Sequence, residues 1–334
     1  MPQLLRPARL ALLAASLALA TLAAAAEAQG NGPIRQLLRQ RAGGGSGGGG
    51  AAVEGLQLVT LTHAGQERSY YAALPPGGGA GLPVVMVFHG GEGDGTHAAL
   101  ASGLGTRVAA GELVALYPNA GGDQWNDGRA ETQTGRDDVG FAIAVLADAA
   151  RRYGIDPARA FAAGISNGGL FTQRLACEAS GTFAAYGVIA ATMPADLSRS
   201  CDPAAPAPMI FFNGTDDRLM PFGGGEIASA PLLGLGVGGT VLSAEGTRGF
   251  WARQDSCGGA SREALADSTS DGTEVRLVRY ECSGGAALAF YIIEGGGHNW
   301  PGSDVGGGRR LAGTISRDVD ATAEMLAFFR RFGL

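Results

Sequence analysis

Hydrophobic residues recur along the chain in three rhythms. In residues 56–62 and again in 68–74 apolar and polar side chains alternate, the period of a strand with one wet face. Their adjacency predicts an antiparallel hairpin at a sheet edge. Residues 83–88, 113–117, 187–191, 208–212 and 287–293 are instead continuously apolar, as expected of strands covered on both faces, and 274–280 adds a further strand. The third rhythm is helical. Phe141, Val145, Leu146 and Ala149 follow Asp137 and Asp138, both read as caps, and the helix stops at Gly154. Phe250 and Trp251 mark a short helix, and Ala321, Met325, Phe328 and Phe329 form the inward stripe of a last one at 318–332. Strands alternating with helices predict an α/β fold: a mostly parallel central sheet with helices on both faces and an antiparallel N-terminal edge hairpin.

The first residues follow another logic. Arg6 and Arg9 precede an apolar, alanine-rich run that ends in Ala26-Glu27-Ala28, the pattern of a cleaved secretory signal peptide. Residues 1–28 are read as that peptide, 29–51 as a surface segment and glycine-rich linker, and 52–334 as one folded domain. The expectation is a secreted protein, with no integral membrane association after cleavage. A formal charge of −6 with no basic cluster argues against nucleic acid as a partner. The chain has no lysine, which excludes Schiff bases, P-loop lysines and Ser-x-x-Lys chemistry.

Cys177, Cys201, Cys257 and Cys282 are even in number in a chain read as exported. Sequential pairing, 177 with 201 and 257 with 282, closes two short loops, each worth roughly 3 kcal/mol in the chain-entropy model. No Cys-x-x-Cys and no neighbouring histidine suggests zinc, and no metal or other cofactor is expected.

Candidate chemistry centres on Gly164-Ile165-Ser166-Asn167-Gly168, which runs from a short apolar strand into a helix. This is the pattern of a nucleophile elbow, where small residues two before and two after the serine permit a tight strand-to-helix turn. The same pattern at Gly44-Gly45-Ser46-Gly47-Gly48 lies in a glycine tract with no strand or helix beside it. Ser166 is the candidate nucleophile, and the Asn167 N–H, at a helix start, a candidate oxyanion donor. A serine needs a base, and in α/β-hydrolases the chain order is Ser, acid, His. Of His63, His89, His97 and His298, only His298 follows Ser166. Asp216 and Asp217 both follow the strand at 208–212, and spacing alone does not choose between them. His89-Gly90-Gly91 closes a buried strand and offers Gly91 as a second oxyanion donor, with His89 a structural hydrogen-bonding residue. Trp125, in a polar loop, and Trp300, beside His298, are candidate substrate-binding residues, with packing under their loops the alternative.

With these residues in place the chain resembles the secreted esterase family of polyhydroxybutyrate depolymerases and feruloyl or acetylxylan esterases, the LpqC-like group of α/β-hydrolases. The blocks that carry the resemblance are PVVMVFHG (83–90), DDVGF (137–141), GISNGG (164–169), Gly214-Thr215-Asp216-Asp217 with Pro221, and GGGHNWPG (295–302). The resemblance implies Asp217 as the acid, alongside Ser166 and His298. It implies a serine carboxylic-ester hydrolase acting on polysaccharide-linked feruloyl or acetyl esters, or on hydroxyalkanoate esters, small or polymer-borne. Gly91 departs from the pattern, since many relatives carry a bulkier residue or a cysteine there, which bears on the second oxyanion donor. The absence of an appended surface-binding domain favours soluble esters, oligomers or polysaccharide-borne acyl groups. A catalytically inactive binding module and a serine peptidase of the same fold are the competing readings.

Overall fold

The computed structural model describes residues 55–229, 237–305 and 312–334. The segments read as signal peptide and as surface segment with linker lie outside the described residues. Ten strands form one sheet. At its heart β3 (Val84–Phe88), β4 (Val114–Pro118), β5 (Ala160–Ile165), β6 (Tyr186–Ile189) and β7 (Met209–Gly214) are buried along their whole length or nearly so. They stand in the order β4-β3-β5-β6-β7, all parallel, and β12 (Ala287–Glu294) extends the parallel block beyond β7. Burial on both faces is why these segments show no alternation in sequence.

Antiparallel strands close both ends. The hairpin of β1 (Leu56–His63) and β2 (Gln66–Ala73) pairs through β2 with β4, which bears out the expected N-terminal edge. At the other end β11 (Glu274–Glu281) and β10 (Ser261–Ala264) add two more strands. The sequence reading did not anticipate β10: all four of its side chains are exposed, so it carries no apolar signal. A separate two-stranded ribbon joins β8 (Gly225–Glu226) to β9 (Thr240–Val241).

Helices cover both faces. On one, α3 (Asp138–Tyr153), α4 (Asn167–Glu178) and α5 (Ala244–Gln254) bury Phe141, Val145, Leu170, Phe171 and Trp251. On the other, α1 (Gly95–Ser102), α2 (Gly105–Ala109) and α6 (Ala321–Arg330) bury Ala98, Val108, Met325 and Phe329. The disulfides are Cys177–Cys201 and Cys257–Cys282, the sequential pairing, closing separations of 24 and 25 residues. Gly154 ends α3 with φ 68°, as its place in the sequence suggested.

The reading of Asp137 and Asp138 as twin caps needs correction. Asp137 does cap α3, accepting the Gly140 N–H at 2.8 Å. Asp138 is buried and points the other way, toward Arg68 (2.8 Å) and the Asn126 N–H (2.8 Å). It ties the edge hairpin and the loop after β4 to the start of the helix. Among the described residues no helix is long and apolar enough to cross a membrane.

Candidate active site

Because β3, β5, β7 and β12 are parallel, the loops leaving their C-terminal ends gather on one side of the sheet. Residues from these loops line one cavity of about 290 Å³, among them Gly91, Ser166, Asn167, Met220 and His298. Ser166 ends β5 and precedes α4, with φ 57° and ψ −125°. A non-glycine residue there carries on the order of 1–3 kcal/mol of backbone strain, held in place by its surroundings. The surroundings are close. A β-carbon on Gly164 would run into the Gly168 carbonyl, one on Gly168 into the Phe88 and His89 carbonyls, and one on Gly90 would stand 3.3 Å from Ser166 Cβ. Both flanking glycines are thus required by close backbone approach, with Ser166 itself taking the unusual torsion.

Asp217 Oδ1 accepts the N–H groups of Leu219 (2.9 Å) and Met220 (2.8 Å), which fixes the carboxylate. Its Oδ2 lies 2.7 Å from His298 Nδ1. An ionised carboxylate only accepts, so Nδ1 carries the hydrogen and Nε2 is the basic nitrogen of the ring. Both side chains are almost buried, at 9% exposure for His298 and 3% for Asp217. The His298 N–H donates to the Ala312 carbonyl at 2.6 Å, and any β-carbon on Gly297 would strike that same carbonyl. Asp216 is exposed, its carboxylate 3.3 Å from the Thr215 hydroxyl. The structure therefore brings Asp217, and not Asp216, to His298.

His89 is fully buried and outside the cavity lining. Its Nε2 accepts the Ala120 N–H (3.1 Å), so Nδ1 must donate to the Gly90 carbonyl (2.7 Å). Burial holds its pKa below the ordinary imidazole value, and the neutral ring braces the loop after β3.

The two tryptophans do not line the site. Trp125 has no exposed surface: it stacks on Phe171 (5.0 Å, 11°), meets Phe88 edge-on and donates its indole N–H to the His89 carbonyl at 3.1 Å. Trp300 packs into the opposite face of the core and donates to Thr322 Oγ1 at 2.9 Å. Each indole satisfies its one donor inside the protein, so neither is a substrate wall.

Three residues near the cavity carried no signal in the sequence reading. Asp127, fully buried, takes Arg129 through Nε (3.0 Å to each oxygen) and Nη2 (2.6 Å), and also accepts Asn167 Nδ2 at 2.6 Å. Arg129 completes its bonding on the Gly238 carbonyl. The Asn167 side chain also clamps Trp125, accepting its N–H (2.7 Å) and donating to its carbonyl (3.1 Å). The third residue is Gln124, which lines the cavity beside Gly91. Such contacts join loops far apart in sequence and have no period to reveal them.

No protein-family model matches the chain. It is 29% identical over 251 residues to a protein named as an esterase, NocK of Nocardia uniformis subsp. tsuyamanensis, the match covering 72% of each chain. It is 30% identical over 209 residues to Feruloyl esterase B of Piromyces equi, covering 59% of this chain and 36% of that longer one. Among solved structures it is similar to the acetyl xylan esterase from Aspergillus awamori, with a TM-score of 0.55, 16% identity and coverage of 83% of this chain and 99% of that one. That structural likeness establishes a shared fold, and the relatives in sequence are named as esterases. Together, these relatives and the shared fold support a carboxylic-ester hydrolase of the α/β-hydrolase type.

Proposed function

We propose that the chain is a secreted serine esterase that works through an acyl-enzyme, with Ser166 as nucleophile, His298 as general base and acid, and Asp217 as its orienting carboxylate. The observation that carries this reading is the Asp217–His298 pair lining up behind the cavity that also holds the strained Ser166. Ser166 Oγ attacks the ester carbonyl carbon while its proton passes to His298 Nε2. The carbonyl π pair moves onto oxygen, and the N–H groups of Asn167 and Gly91 receive it. Asn167 begins α4, and among the described residues the Gly91 N–H has no backbone acceptor, so both are available. Collapse of the tetrahedral adduct expels the alcohol, which takes the proton from His298. Water then repeats the sequence on the acyl-serine and releases the acid. Asp217 stays ionised throughout and stabilises the imidazolium.

The substrates that suit this reading are feruloyl or acetyl esters borne on polysaccharide, with hydroxyalkanoate esters as the other class. The names of the relatives favour the first. So does the cavity: Leu170, Met220, Ile227 and Val237 give it an apolar wall suited to an acyl group. Secretion is supported by the two disulfides and by the signal-like N-terminus.

The test is initial-rate hydrolysis of methyl ferulate, acetylated xylan, a 3-hydroxybutyrate oligomer and p-nitrophenyl acetate by the oxidised protein and by Ser166→Ala. The proposal expects hydrolysis in the first and none above background in the second, with a fluorophosphonate adduct mapping to Ser166. Equal rates in both proteins would refute the serine mechanism.

A further inference from the structure

We propose that the side-chain amide of Gln124 is a third hydrogen-bond donor to the oxyanion, which makes Gln124 a catalytic residue of this chain. The inference rests on the serine-esterase reading above and concerns the same site.

Its first support is where the backbone holds Gln124. The residue before it, Asp123, accepts the Glu92 N–H at 2.6 Å, in the loop that carries Gly91. The residue after it, Trp125, is gripped at both its N–H and its carbonyl by the side chain of Asn167. Gln124's own carbonyl accepts Arg136 Nη2 at 2.8 Å. One residue is thereby fixed between the two segments that bear the proposed oxyanion donors.

The second support is the side chain. Gln124 reaches the cavity, and its amide makes no hydrogen bond to any other described residue. A glutamine pinned at its backbone from three sides and unpartnered at its tip is spare donor capacity at the reacting centre. Third, the amide occupies the room of a missing side chain. A β-carbon on Gly91 would collide with Gln124 Nε2, the nearest atom, and would lie 3.0 Å from its Cδ and Oε1. Gly91 has no positive φ, and the three atoms nearest to a β-carbon there all belong to the Gln124 amide, so a side chain at 91 would displace that amide rather than the backbone. Nε2 therefore stands against the residue proposed as the second oxyanion donor. A neutral donor there strengthens as the carbonyl oxygen becomes an oxyanion, and so acts on the transition state more than on the bound ester.

Steady-state kinetics of Gln124→Ala, Gln124→Met and Gln124→Glu on the best ester provide the test, with thermal unfolding and circular dichroism beside them. Met keeps the volume and loses the donor, and Glu replaces it with a like charge. The expected result is a fall in kcat of about 100-fold for Ala and Met, with KM within about threefold and a larger loss for Glu. Inactivation by a fluorophosphonate should slow in the same order. Gln124→Met with wild-type kcat would overturn the inference while leaving the serine esterase intact. A loss confined to KM would overturn it too, recasting Gln124 as a ground-state contact. Should wild type and Ser166→Ala prove indistinguishable, the esterase mechanism and this inference fall together.

Discussion

Asp255 sits where α5 ends, 3% exposed, with one carboxylate oxygen accepting the Ala207 N–H at 2.9 Å and the other, Oδ2, buried with no hydrogen-bond partner among the described residues. Desolvation dominates and pushes its pKa up from 3.8 to about 6, with the Ala207 N–H opposing. Below pH 3.8 the side chain is protonated whether the chain is folded or not. As pH rises toward 6 the unfolded chain gives up the proton first, so the folded state loses stability; above 6 the loss is complete. At about 1.4 kcal/mol per pH unit this single group costs roughly 3 kcal/mol of stability at neutral pH. Asp255→Asn keeps the acceptor for Ala207 and removes the titration. Denaturant unfolding of both proteins, disulfides intact, should be run at pH 4, 5, 6, 7 and 8. The stability of the variant relative to wild type should climb by about 2.5 kcal/mol between pH 4 and pH 7 and then level off. A difference that stays constant across that range would refute the assignment of a buried, uncompensated carboxylate.

Two further perturbations probe the elbow and its brace. Asp127→Asn leaves the Arg129 guanidinium buried without its counter-charge, so unfolding should show a loss of about 3–5 kcal/mol; because Asn167 is held through the same carboxylate, kcat should fall as well, and an unchanged melting temperature would contradict the pairing. Gly168→Ala drives a methyl group into the Phe88 and His89 carbonyls, backbone that cannot swing away, and should cost at least about 2 kcal/mol together with hydrolysis, whereas an active variant of wild-type stability would mean the elbow is looser than described.

What the amino-acid sequence reveals here depends on whether a physical constraint is local. The buried strands of the parallel block are legible because two covered faces demand an uninterrupted apolar run, and the hairpin because one wet face demands alternation. Gly164 is legible for a related reason, since its close contact with the Gly168 carbonyl lies within the five-residue turn; Gly168 itself answers to the Phe88 and His89 carbonyls at the end of β3. Trp125 shows the limit. Beside Asn126 and Asp127 it resembles an exposed ring in a polar loop, yet its burial is decided by Phe88 and Phe171, which come from β3 and α4. Asp138 fails in the same way, since its partner Arg68 is 70 residues distant and only the one-residue rotation of the helix separates it from the capping Asp137. Asp217 and Asp216 could not be separated by spacing because both sit in one turn; the choice between them lies with His298, 81 residues on from Asp217. Gly91 is the instructive case. In sequence it is only a small residue at an oxyanion loop, and its meaning emerges when Gln124 is found filling the room it leaves. If the two residues form one device, the pair should tolerate change only together. Gly91→Ala alone would displace the amide and lower kcat, whereas adding Gly91→Ala to Gln124→Ala should cost less than the sum of the two single effects, and strict additivity in that double-mutant cycle would separate them.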